Sequence, residues 1–231
     1  MGLRGPKPRR REDVPWSPEL AYAVGLIATD GCLSSNRRHF AFVSKDMEQI
    51  NNLKKCLGLK VKVGIHRSGR KGEARTYHRI QWGDVILYDF LLKVGLTPHK
   101  SLTLGALSIP DEYFFDFLRG SFDGDGSFYS YYDPRWRSSF MYYLNFTSAS
   151  PLHVDWLQKT LSRLLSVKGH ISKTGGVGKK RNWIGNLRFA KKESLLVMSA
   201  MYSNPRQVHL SRKRLKIERA LRIVGESLSI N

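Results

Sequence analysis

Acidic residues are scarce in this chain: 19 Asp and Glu stand against 39 Lys and Arg over 231 residues, a formal charge of +20. Solubility needs far less, so a polyanionic partner is expected, nucleic acid first and an anionic membrane second. Long apolar runs are missing as well. No stretch approaches the roughly 18 residues of a spanning helix, and no helical pattern is basic on one side and bulky-apolar on the other, which leaves the membrane without support. Cysteine is nearly absent. Cys32 and Cys56 form no C-x-x-C pair, so neither a disulfide framework nor a zinc knuckle is expected, and both read as buried apolar residues. The seven histidines, His66, His78 and His209 among them, form no clustered metal pattern and read as surface or nucleic-acid-contacting side chains. Residues 1–11 carry Lys7, Arg9, Arg10 and Arg11 with no apolar segment behind them, and Pro6 stands where a myristoylation signal wants Ser or Thr. An intracellular protein with a basic N-terminal arm is expected.

What the chain does contain is an internal repeat. LAYAVGLIATDGCL, residues 20–33, aligns with FDFLRGSFDGDGSF, residues 115–128, so that Gly25 matches Gly120, Asp30 matches Asp125 and Gly31 matches Gly126. Phe42, Val43 and Ser44 then match Phe146, Thr147 and Ser148, which gives the second copy the longer hairpin. Amphipathic patterns over 47–57 and 152–165 predict helices, and alternating runs over 61–67, 75–82, 167–173 and 183–190 predict strands that bracket basic Gly-rich turns. Further helices are expected over 85–94, 194–201 and 213–224. Each copy therefore reads αββαββα, an α+β fold. The division is a basic arm over 1–15, a first repeat over 16–100, an aperiodic linker over 101–111, and a second repeat with a terminal helix over 112–231.

Ser17, Pro18 and Glu19 supply a cap, a first-turn proline and a first-turn acid for the first repeated helix, and Glu112 is expected to serve part of that role in the second. Both helices should end at Gly31 and Gly126, read as left-handed C-terminal positions. Asp30 and Asp125 then sit at helix C-termini, where the macrodipole already places negative charge. Two carboxylates at matched unfavourable positions make sense if a divalent cation lies between them. Small residues on one side, Ala21, Gly25 and Ala28 facing Gly120, permit close helix packing and would bring those ends together.

AVGLIATDG, residues 23–31, and LRGSFDGDG, residues 118–126, resemble the two motifs of monomeric LAGLIDADG homing endonucleases. The resemblance implies a pseudo-twofold fold with two saddle-shaped antiparallel sheets that read a long asymmetric double-stranded DNA target in the major groove. It also implies a monomer active in intron homing, and hydrolytic double-strand cleavage leaving 3′ overhangs. Asp30 and Asp125 are, by that resemblance, the metal-binding catalytic acids, with Mg²⁺ as cofactor, Mn²⁺ as substitute and Ca²⁺ supporting binding without efficient cleavage. Backbone carbonyls around position 29 stay open as further ligands. Ala28 replaces an acid that the second motif keeps as Asp123, a position read as structural.

Lys100 and Lys213 follow the last elements of the two copies at matching places; each is either a water-polarising group beside a scissile phosphate or an ordinary phosphate contact. Lys45 lies near a position the family uses to place water, but its counterpart is Ala149. Ser44 and Ser148 are symmetric and read as caps of the helices that follow. The candidate DNA contacts are Arg37, Arg38, Arg67, Arg70, Arg75, Tyr77, Arg79 and Gln81 in the first copy. In the second they are Tyr129, Tyr131, Arg135, Arg137, Lys173, Lys179, Lys180, Arg181, Asn186 and Arg188. Arg75, Tyr77, Arg79 and Gln81 are all odd-numbered and so share one side of one strand. Two other functions fit the same scaffold: a DNA-binding regulator that does not cut, against which retention of both acids argues, and an intron RNA maturase, for which no RNP-like stacking signature is present.

Overall fold

The computed structural model describes residues 14–68, 75–174 and 184–228. The first repeated helix, α1, spans Pro18–Asp30, and the Ser17 hydroxyl accepts the Leu20 amide as its N-cap. It leads into β1 (Gly31–Leu33), β2 (His39–Ser44), α2 (Met47–Cys56), β3 (Gly64–Ser68), β4 (Arg75–Gly83) and α3 (Val85–Val94). Two single 3-10 turns, Lys100–Leu102 and Asp111–Tyr113, flank the connection to the second copy. That copy runs α4 (Phe114–Asp125), β5 (Ser127–Tyr132), β6 (Phe140–Ser148), α5 (Pro151–Leu165), β7 (His170–Thr174), β8 (Ile184–Ala190) and α6 (Lys191–Met201), and α7 (Ser211–Ile223) closes the described chain. The αββαββα order is present twice. Each set of four strands forms an antiparallel sheet, ordered β1-β2-β4-β3 and β5-β6-β8-β7.

Period-two alternation gives each sheet one face toward the helices. Phe40, Phe42, Ile80 and Trp82 are buried in the first sheet, and Phe128, Tyr142, Leu144, Phe146, Leu187 and Phe189 in the second. The centre of the molecule is the crossing of α1 and α4, and glycines set its closeness. A Cβ on Gly25 would lie 2.2 Å from the Phe117 carbonyl oxygen, and one on Gly120 would lie 2.1 Å from that of Tyr22. Either side chain would force the helices apart.

Three expectations change. Gly31 (φ −82°) and Gly126 (φ −73°) are extended rather than left-handed. Their need for glycine is steric: a Cβ would stand 2.7 Å from Ile27 Cα in one case and 2.6 Å from Phe122 Cα in the other. The chain turns sharply back against the last helical turn. Glu112 does not start α4, because it falls in the preceding 3-10 turn, and α4 has no side-chain cap. Cys32 is exposed, since it occupies the outward parity of β1, whereas Cys56 is half-buried.

Candidate active site at the helix interface

Because Gly25, Gly120 and Gly124 let the two backbones touch, the C-terminal ends of α1 and α4 lie side by side. A Cβ on Gly124 would meet the Thr29 hydroxyl at 1.9 Å and the Asp30 carboxylate at 3.1 Å, so the first acid rests against the end of the opposite helix. Burial pushes the Asp30 carboxyl up to about 6, and the charge of Asp125 adds to that rise. Asp125 is raised by burial as well, with Lys213 and Lys100 opposing the shift. Burial thus disfavours the ionised form of both carboxylates, and the two nearby ammonium groups offset it only in part. Both carboxylates present hard oxygen atoms, the kind that Mg²⁺ or Mn²⁺ takes. No group of three or more His, Cys, Asp or Glu that could hold a metal stands together among the described residues.

The surroundings of the two acids differ. Gln49, near the start of α2, donates its amide to Asp30 Oδ2 at 3.0 Å and to the Asp123 carbonyl at 3.3 Å, and its own carbonyl accepts the Ser44 hydroxyl at 2.5 Å. Ser44 is therefore not a helix cap. Asp46 caps α2 through the Glu48 amide, while Ser44 accepts the Asp46 amide and orients Gln49. Ser148 likewise accepts the Ser150 amide at 3.1 Å and precedes, rather than forms, the cap of α5. Counting from the matched serines, Gln49 corresponds to His153, and that histidine does not reach Asp125 through a direct bond. Its Nδ1 pairs with the Gly105 carbonyl at 3.0 Å, and burial drives its pKa down to about 4. A cavity of about 30 Å³ separates it from Asp125, lined also by Thr29, Ser121, Thr147 and Ser148.

Lys100 and Lys213 come to equivalent places, and each occupies a helix end. Lys100, buried, donates to the Gly31 carbonyl just beyond α1. Lys213 donates to the carbonyls of Phe122, Gly124 and Gly126 at the end of α4. Burial lowers both ammonium pKa values, that of Lys213 to about 8. The cations thus answer the negative charge of the helix termini, and they sit within electrostatic reach of both acids. Asp123 is a packing residue. It is buried, accepts the Tyr22 hydroxyl and the Leu210 amide, each at 2.7 Å, and is pushed by burial to about 6. It tethers the segment that delivers Lys213.

Arg119, which the sequence reading passed over, performs the same service. Fully buried, it bonds Asp116 at 2.7 Å and the carbonyls of Met201 and Val208 at 2.8 Å each. Its trace in the sequence is the i, i+3 spacing of Asp116 and Arg119 within the helix. Gln49 left a different one, a fixed distance from a serine that recurs in both copies.

Among the candidate DNA contacts, strand register sorts the two sheets. Arg75, Tyr77, Arg79 and Gln81 project from β4 away from the helices, as do Tyr129 and Tyr131 from β5 and Asn186 and Arg188 from β8. Arg67 pairs with Thr76, and Lys173 pairs with Gly185, so both take the opposite parity and leave this outer face. Arg37 turns toward α3 and stands 3.5 Å from Asp89. Arg135 is held by Asp133 at 3.2 Å within its own hairpin, beside exposed Arg137, and Arg38 is exposed in the β1–β2 turn. Arg70, Lys179, Lys180, Arg181 and the basic arm lie outside the described residues.

No protein-family model and no curated protein sequence matches the chain. Solved structures do. The homing endonuclease I-WcaI bound to its DNA recognition sequence aligns with a TM-score of 0.56 and 15% identity over 87% of this chain and 88% of that one. Full-length DUF199/WhiA from Thermatoga maritima aligns at 0.54 and 18% identity over 93% of this chain, which spans only 64% of that protein. The meganuclease I-SmaMI bound to uncleaveable DNA gives 0.53 and 15% over 91% and 93%. At these identities the likeness establishes the fold.

Proposed function

Starting from a chain with the LAGLIDADG homing-endonuclease fold, we propose that it is a site-specific, divalent-metal-dependent DNA endonuclease of homing type, acting as a monomer on a long asymmetric duplex. The observation that carries this reading is the convergence of Asp30 and Asp125 at the abutting ends of α1 and α4, with a lysine at each end. A bound Mg²⁺ would supply charge neutralisation at the scissile phosphate and an acidified water. The chain's own residues do the rest. Gln49 fixes the Asp30 carboxylate and restricts its rotation. Lys100 and Lys213 hold positive charge beside the acids, where it offsets charge building on a phosphate oxygen. The outer faces of the two sheets present arginine, glutamine, asparagine and tyrosine to base edges, with excess basic charge left for phosphates.

A protein that binds DNA without cutting it has no use for two desolvated carboxylates at one point, so the pair favours cleavage over a purely regulatory role. Asp30→Asn and Asp125→Asn test the assignment. Each is expected to abolish double-strand cleavage in Mg²⁺ while leaving DNA affinity in Ca²⁺ within a few fold of the wild type. Cutting at the wild-type rate by either variant would remove the site.

A further inference from the structure

The two outer sheet faces carry different groups at equivalent points. On the second sheet Tyr129 and Tyr143 are cross-strand partners with ring centroids 5.0 Å apart. Tyr131 lies nearly parallel to Tyr129 at 6.4 Å and 4°, and Met141 opposes Tyr131 on the same face. Arg188 is spent within this cluster: its guanidinium sits 5.7 Å over the Tyr143 ring and donates to the Tyr129 hydroxyl at 3.4 Å. On the first sheet a cation likewise covers the outward aromatic, but that ring stands without a stacked tyrosine neighbour among the described residues. The Lys45 ammonium lies 5.5 Å over the Tyr77 ring, whereas Arg79 stands on the outward parity with a buried Nε that has no hydrogen-bond partner, and Gln81 is exposed. Register makes the contrast direct, since Arg79 pairs with Val43 and Asn186 with its repeat counterpart Thr147, which places Arg79 and Asn186, and Gln81 and Arg188, at equivalent points.

An outward-parity guanidinium matches the paired acceptors of guanine, while the ring edges of a stacked tyrosine cluster suit the C5-methyl group that only thymine presents in the major groove. We propose that the two halves of the DNA target differ in chemistry, with guanine read by Arg79 on the first sheet and methyl-bearing A·T pairs read by the tyrosine face of the second. This rests on the reading of the chain as a sequence-specific DNA-binding protein and adds to it the base class of each half-site.

The test uses the intact chain and modified DNA, so folding is not in question. Duplexes are selected by binding from a randomised library without Mg²⁺. An iron chelate on Trp136→Cys, in a Cys32→Ser background, marks by local strand scission which half lies under the second sheet; Trp136 is 70% exposed at the tip of the β5–β6 hairpin. Replacing thymine by uracil in the marked half is expected to weaken binding about fourfold per methyl group contacted, with no effect in the other half. Replacing guanine by 7-deazaguanine in the unmarked half is expected to weaken it about tenfold. Loss on uracil substitution only in the unmarked half, or insensitivity to both analogues, overturns this inference alone. A library from which no sequence is enriched overturns the DNA-reading function beneath it.

Discussion

At the scale of single residues the site is a problem of unfavourable charge placement solved locally. Asp30, Asp125 and Asp123 are all raised by burial, yet only the first two face one another across the helix ends. Asp123 has a separate consequence for stability. Its folded-state pKa of about 6 lies above the ordinary 3.8, so its contribution is fully present below about pH 4 and is lost as pH rises through 6. Asp123→Asn should therefore flatten the decline in urea midpoint between about pH 4 and 7 relative to the wild type, a difference on the order of 2–3 kcal/mol. A parallel pair of curves would contradict the assignment. Gln49 gives a second expectation: with the Asp30 donor removed, Gln49→Leu should slow cleavage about 10- to 100-fold, as loss of an orienting partner does, without weakening DNA binding. Single-turnover cleavage beside a binding titration would separate the two effects.

At the scale of elements, the crossing of α1 and α4 does the positioning. The glycines there are required by contact rather than by backbone dihedral, with neighbouring backbone atoms 2.1–2.2 Å from the Cβ positions of Gly120 and Gly25. Gly25→Ala or Gly120→Ala should cost about 3 kcal/mol or more, because overpacking here meets backbone and not a movable side chain. Thermal melts would register the loss; a variant with unchanged Tm would mean the helices can separate freely. The lysines belong to this scale too. Each arrives from outside its helix, Lys100 from the turn after α3 and Lys213 from α7, and each satisfies carbonyls that a helix terminus leaves unpaired.

At the scale of the molecule, the chain carries a charge of +20, much of it outside the strands as in α7, while the sheets keep an outward parity that is polar and an inward parity that is apolar. If about six phosphates are neutralised, affinity for duplex DNA should fall about a thousandfold between roughly 50 and 200 mM salt. A flat response would mean that the basic excess does not face nucleic acid. The sheets are not copies of one another, since the second carries the longer hairpin and the tyrosine cluster. Asymmetry also reaches the centre, where an amide holds one acid and a small cavity with a neutral histidine borders the other.

Much of this was legible in the chain itself. The repeat around Asp30 and Asp125, the αββαββα order and the odd-numbered row from Arg75 to Gln81 follow from periodicities that any reader of the sequence can see, because helical and strand periods are local properties. Other features depend on residues far apart along the chain and left no local signal. That Lys213 closes the end of α4, that Arg119 anchors the approach to α7, and that Gln49 rather than an equivalent in the second copy holds the Asp30 carboxylate were decided by packing between segments about 20 to 90 residues apart. Arg67 and Lys173 mark the same boundary: their charge suggested DNA, and one step of strand register turned them to the other side.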